Sequence, residues 1–315
     1  MISIVKYEPS MRGRWDDFVD SSRNGTFMLR RGYVEYHSDR FDDFSLVAVD
    51  GKGRWVGALA ANLADDTLYS HQGLTYGGWA LPANGADGAA MVEIFEKSLR
   101  YLRGCGINLW IYKAIPDIYH KSPSQEDEYA LFRSGATLKE VNLSSAVDLR
   151  GPICFNENSR RNAKKAERAG LNVRECADYE SYWAILSQVL AEKHGAKPVH
   201  SLAEIEMLRC RFPHNIRLFA VFDDGGEMVA GTVIYETDTA AHAQYIASSE
   251  AGRSQGALAL LFKELITRVY ADKRYFDFGI SNEESGRILN AGLLAQKFGF
   301  GGRGLAYKIY EMRLG

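Results

Sequence analysis

Four side chains in the second half of the chain, His242, Tyr245, Asp277 and Lys297, are of types that move protons or steady developing charge. An imidazole with an ordinary pKa near ~6.5 suits a base that takes a proton from a substrate ammonium. The competing reading of His242 is a packed strand histidine. His242 and Gln244 alternate onto one face of a strand, and Tyr245 falls on the other. Asp277 stands inside Tyr275-Phe276-Asp277-Phe278. A carboxylate among aromatic rings needs a partner or a raised pKa. It fits a general base, an anchor for a substrate amine, or a cap on neighbouring backbone. Lys297 precedes a Gly-rich string, where a cation can steady an oxyanion or a phosphate. It can equally sit at a helix C-terminus and interact with the dipole. Glu283 and Glu284 follow the Asp277 strand in a loop, where such sheets often carry chemistry.

Two further segments can hold anions. Arg253-Ser254-Gln255-Gly256-Ala257 opens an amphipathic helix, and the N–H groups of a helix start bind phosphate. The alternative is a glycine that only starts a helix packed on a sheet. Upstream, residues 159–170 read as a connecting helix with Ser159 as cap and Gly170 as stop. Arg160, Arg161, Lys164, Lys165 and Arg168 fall on one face of it, with Ala163, Ala166 and Ala169 on another. Such a face can hold a diphosphate or an RNA backbone. A solvated helix face is the competing reading.

The elements that must position these residues occur twice. Leu46–Val49, a Gly turn and Val56-Gly57 are echoed by Leu218–Val221, Asp223-Asp224-Gly225-Gly226 and Ala230-Gly231. Gly88 and Gly256 each open a helix, and the next apolar strand, at Ile107 or Tyr275, begins 19 residues later in both. A period near half the chain marks a duplicated domain rather than a solenoid. The spacing predicts helices over 91–102, 179–194, 202–210, 258–270 and 286–298. It predicts strands over 44–49, 55–61, 107–115, 218–222, 228–236, 240–248, 275–280 and 305–314. Strands in a meander followed by a helix and a further strand indicate an α/β or α+β fold with a mixed sheet. We divide the chain into domains 1–150 and 151–315, the second led by the basic helix.

At 315 residues the chain is long enough for about two domains. The formal charge of −2 argues against a DNA coat or a charged membrane surface. Cys105, Cys154, Cys176 and Cys210 are scattered, which reads as buried thiols in a reducing compartment. No stretch approaches the ~18 apolar residues of a membrane span, so a cytoplasmic protein without membrane insertion is expected. There is no HExxH and no pair of cysteines at zinc spacing, so no metal is implied, and neither GxSxG nor GxxxxGK[ST] occurs. The string Gly299-Phe300-Gly301-Gly302-Arg303-Gly304 matches GxGxxG but follows a helix and precedes a strand. That reverses the order a dinucleotide fingerprint requires.

The order meander, glycine turn, helix, strand resembles the GNAT acyltransferases. In their pattern, Arg or Gln is followed, after two intervening residues, by Gly and then, after one more, by Gly or Ala. Arg253 and Gly256 match, and Leu258 stands where the last residue should be small. In the first copy Gly88-Ala89-Ala90 matches the end and Gly85 replaces the cation. The tandem layout, the basic helix, Gln244-Tyr245, Tyr275–Gly279 and Lys297–Gly302 resemble the FemABX-like branch of this superfamily. The resemblance implies two tandem GNAT-like domains and transfer of an acyl or aminoacyl group to an amine. The acceptor would be a small molecule, a nucleotide-sugar or a cell-envelope precursor. It implies His242, Tyr245, Asp277 and Lys297 as the catalytic set and residues 253–257 as the donor's phosphate loop. Arg160, Arg161, Lys164, Lys165 and Gln244 would bind the substrate or its phosphates. No tightly bound cofactor is expected. Acyl-CoA is the expected co-substrate, ahead of aminoacyl-tRNA, because no heptad run is long enough for the coiled-coil insertion of the cross-bridge-building members. The alternative is a non-catalytic, degenerate GNAT pair that binds a nucleotide-linked sugar or peptide.

Overall fold

The computed structural model describes residues 1–314, the side chains of 193 and 194 excepted. The chain forms two compact units, Met1–Asn142 with Ala306–Gly315, and Leu143–Leu305. The sequence division at 150/151 differs from this one in two places. Compactness cuts earlier, inside the strand Thr137–Asp148. It also returns the end of the last strand, Arg303–Arg313, to the first unit. The reason is packing. Ile309–Arg313 pairs antiparallel with Leu109–Lys113, and Met312 and Leu314 are buried in the first core.

In the first unit, Ser3–Lys6, Leu46–Val49, Trp55–Leu59 and Trp79–Ala80 pair antiparallel in that order. The helix Gly88–Gly104, capped by Asp87, turns Met91, Ile94, Phe95 and Leu102 into the core. Trp110 and Tyr112 meet Phe95 there. Tyr112 O–H donates to Asp127 Oδ2 (2.7 Å) and accepts from the N–H of Trp79 (2.9 Å). Burial pushes the Asp127 carboxyl up to about 6, against a bond from Tyr112 that lowers it. A folded pKa above the unfolded 3.8 gives stability that is complete below pH ~4 and is lost as pH rises through about 6. Asp127→Asn is therefore expected to gain about 3 kcal/mol on the native protein between pH 4 and 7. Urea melts of both proteins at the two pH values check this. A constant difference would show that Asp127 is already ionised throughout.

The second unit carries a strand array in the order Asn172–Cys176, Ile216–Phe222, Met228–Glu236, Ala240–Ser248, Tyr275–Ile280, and the end of Thr137–Asp148. All neighbours are antiparallel except Ala240–Ser248 with Tyr275–Ile280. One face is apolar, with Phe219, Val221, Ile234, Ala241, Ala243, Phe276 and Phe278 in a single core under the helix Ala257–Glu264. That helix continues as a π turn over Leu265–Val269, within the stretch expected to be one helix to 270. The expected helix over 286–298 starts later, at Ala291, where Asn290 caps it. Residues 282–289 form a hairpin instead, with Glu284, Ser285 and Gly286 all at positive φ. The apolar Ile288 and Leu289 imitated a helical period but are exposed.

The duplication extends to single hydrogen bonds. Asp50 Oδ1 accepts from the N–H groups of Lys52 and Arg54, both at 2.9 Å. Asp223 Oδ1 accepts from Gly225 (2.9 Å) and Glu227 (3.0 Å). Each turn closes on a glycine in the left-handed region, Gly53 at φ 77° and Gly226 at φ 83°. Each follows a register shift at the same place, after Ala48 in one copy and after Val221 in the other.

The four thiols are free. Cys105, Cys154 and Cys210 are exposed, not buried as expected, because they lie at a helix cap, in a loop and in a last helical turn. No helix among the described residues is long and apolar enough to cross a membrane.

Candidate functional site

Parallel pairing between Ala240–Ser248 and Tyr275–Ile280 lasts only from Ala240↔Tyr275 to His242↔Asp277. Beyond this point both strands continue without bonding to each other, and the sheet opens. His242 and Asp277 stand at the last bonded pair. The Nδ1–H of His242 donates to Asp277 Oδ2 (2.6 Å). Ser144 O–H and the N–H of Gly279 donate to Oδ1 (2.6 and 3.1 Å). Asp277 is fully buried, so all three bonds are made out of reach of bulk water. Gly279 sits at φ 73°, and a Cβ there would come within 3.2 Å of His242 Cε1.

That turn holds the third residue. Lys297, on the helix Ala291–Gly299, donates from Nζ to the carbonyls of Gly279 (2.9 Å) and Ile280 (2.5 Å). It is buried, and burial lowers its ammonium to about 8 despite the opposing pull of Asp277. Two of three N–H positions are spent on carbonyls. Lys297 also lines a cavity of about 270 Å³ with Leu186, Val189 and Leu190 from one helix, Ile246 and Phe278 from the opened strands, and Arg253. Three of the four sequence-proposed catalytic residues therefore gather within one network. His242 and Asp277 do not line the cavity; Lys297 does.

A second cavity of about 470 Å³ shares Arg253, Leu258, Gln296 and Phe300 with the first. It meets the start of the helix Ala257–Glu264, where Gly256 supplies no side-chain cap. The N-terminal end of that helix, partially positive and with amide hydrogens to spare, faces the cavity. Asn156, Asn158 and Asn162 supply amides to the same walls. Of residues 253–257, Arg253, Gly256 and Ala257 line this cavity. The segment is not an open loop: a short helix, Glu250–Gln255, leads into Gly256 at φ 79°. A Cβ on Gly256 would stand 2.6 Å from the Asn162 carbonyl, so glycine is required for the helices to approach.

The basic helix begins three residues earlier than expected. Asn156 caps it, accepting from the N–H of Ser159 (2.8 Å), and it spans Glu157–Arg168. Ser159 is buried instead, against Gly299. Ala163 and Ala166 are buried, while Ala169 is exposed. Arg160, Arg161, Lys164, Lys165 and Arg168 line a separate surface groove with Glu157. Lys165 Nζ reaches back to the carbonyl of Ser254 (2.6 Å), which ties this helix to the segment before Gly256.

The facing of Gln244 and Tyr245 is corrected by a bulge. Val233 pairs with Tyr245 and Ile234 with Ala243, so Gln244 is an extra residue. Ala241, Ala243 and Ile246 all pack into the core under Ala257–Glu264. Tyr245 consequently lies with His242 on the opposite face. Its hydroxyl accepts from the N–H of His200 (3.2 Å), and its ring meets Trp183 edge-on at 5.2 Å. Gln244 is half-buried, and its Oε1 has no partner among the described residues. Neither residue lines the two cavities. The amide cluster Asn156, Asn158, Asn162 and Gln296 escaped sequence reasoning, although three of its members lie at the cap and on the body of the basic helix. The string 299–304 is a packing device: a Cβ on Gly299 would meet Asn156 Nδ2 at 2.8 Å, and one on Gly302 would meet the Lys297 carbonyl at 2.8 Å.

Residues 155–285 match the family model of the acetyltransferase (GNAT) domain. No curated protein matches the sequence. Solved structures are similar over the whole length. FemX superposes with a TM-score of 0.69 at 13% identity, covering 98% of this chain and 96% of that one. L-PGS from Bacillus licheniformis gives 0.61 at 13%, covering 96% and 91%. A tandem GNAT protein from the clavulanic acid biosynthesis pathway gives 0.53 at 14%, covering 100% and 99%. Residues 155–285 thus match a GNAT acetyltransferase domain, and the whole chain shares the tandem GNAT-like fold of these structures.

Proposed function

We propose that the Leu143–Leu305 unit transfers an acyl group from a CoA thioester to an amine of a small-molecule or envelope-precursor acceptor. One observation carries this reading: a helix N-terminus and a buried lysine stand on two cavities that share walls, where a parallel strand pair opens. The larger cavity offers Arg253, amides and the helix start to a diphosphate. In the smaller, the free N–H position of Lys297 faces a thioester carbonyl. The amine nitrogen attacks that carbon, the C–N bond forms, and charge builds on the oxygen beside Lys297. Collapse breaks the C–S bond. The amine's proton passes to solvent, and the thiolate leaves and is protonated there. His242 and Asp277 act as positioning residues, fixing the Gly279 turn whose carbonyl holds Lys297.

Isothermal titration with acetyl-CoA and longer acyl-CoAs, followed by thiol release against an amine panel, tests the reading. Absence of CoA binding refutes this donor. Binding without amine-dependent thiol release identifies a non-catalytic pair. The basic groove is assigned to substrate phosphate. Arg161→Ala with Lys165→Ala is expected to weaken a phosphate-bearing ligand about tenfold. Unchanged affinity would make the face merely solvated.

A further inference from the structure

Resting on that reading, we infer that the donor's acyl group is apolar, uncharged and of medium length, about six to ten carbons, and that it lodges in the smaller cavity. The size of the space argues first. A closed cavity of about 150 Å³ takes a six-carbon ring, and this one, open on one side, has about 270 Å³. An acetyl group would leave most of it to be filled by water against apolar walls.

The walls argue second. Leu186, Val189 and Leu190 line it together with Phe262, Phe278 and Phe300. The three aromatic rings already pack on one another, with centroids 4.9 to 5.8 Å apart, so the floor is rigid. Apolar groups that keep a fixed shape give up little entropy when a chain slides in.

Charge argues third. Among the described residues, no Asp or Glu lines either cavity, whereas Arg253 and Lys297 do. The α-ammonium of an aminoacyl ester would meet two cations on the cavity wall and no carboxylate there. A neutral alkyl chain avoids that repulsion. Leu293, which lines the cavity, is itself exposed, as are Ile280, Ile288, Leu289 and Phe298 of the same segment.

The test is calorimetric and kinetic, on the full chain, with CoA, acetyl-CoA, succinyl-CoA and octanoyl-CoA. Octanoyl-CoA is expected to bind about 10²-fold more tightly than acetyl-CoA, with kcat/KM following. Leu190→Trp and, independently, Val189→Phe fill the cavity from a half-buried helix face. Each is expected to cut the octanoyl-to-acetyl ratio at least about tenfold. Equal affinity for acetyl- and octanoyl-CoA overturns the inference while leaving the donor class intact, and so does a preference for succinyl-CoA. Failure of all four to bind refutes the donor class, and the inference with it.

Discussion

Replacing Lys297 with Met is expected to lower kcat for acyl transfer about 10²-fold, the loss typical of a removed oxyanion donor. The pH profile separates this role from a merely structural one. Burial brings the Lys297 ammonium down to about 8, so its charge is lost near pH 8 rather than above 10. An electrophilic ammonium acts only while protonated, and the native rate should therefore fall as pH rises through about 8. Lys297→Met should lack that falling limb. A native rate that instead rises through the same range would make Lys297 a base, and a variant with unchanged kcat would remove it from the chemistry. Stability runs the other way. Between pH 8 and 10.5 the unfolded lysine still binds its proton and the folded one does not, so this group's contribution grows with pH there.

Asp277→Ala is expected to destabilise the protein by about 3–5 kcal/mol. The change strands three buried donors at once: the Nδ1–H of His242, the hydroxyl of Ser144 and the N–H of Gly279. Each loses a charge-assisted partner in a site that bulk water does not reach. For units of this size the thermal midpoint should drop by about 10 °C. Asp277→Asn keeps an acceptor oxygen and should cost less. Because the Gly279 carbonyl holds Lys297, both variants should also lower kcat with KM nearly unchanged. An Asp277→Ala protein as stable as the native one would show that the network relaxes without its carboxylate.

Much of the second unit was legible from the sequence because its strands are apolar runs bounded by turn residues. The edges of 228–236, 240–248 and 275–280 match the bonded strands residue for residue. The bulge at Gln244 was not legible. It adds a residue without altering composition, so simple alternation assigned the wrong face to Tyr245. The hairpin at 282–289 was hidden by Ile288 and Leu289, whose exposure no local pattern reveals. His242, Asp277 and Lys297 could be named singly as reactive types. That two of them are bonded, and that the third hangs on the intervening turn, depends on strand register. The cavities were the least visible part. Leu186, Ile246, Phe278 and Leu293 lie on four separate elements and each reads locally as ordinary core.

The last strand has a consequence for how the molecule comes into being. Domains generally fold in the order in which they are synthesised. Here the first unit includes residues 306–315, so Leu109–Lys113 lacks an antiparallel partner until Ile309–Arg313 has been made. Met312 and Leu314 then fill the space in the first core that awaits them. The unit that begins the chain is accordingly the last able to finish, and any nascent chain stopped short of Ala306 carries an open sheet edge, the kind of surface on which chaperones act and aggregates start.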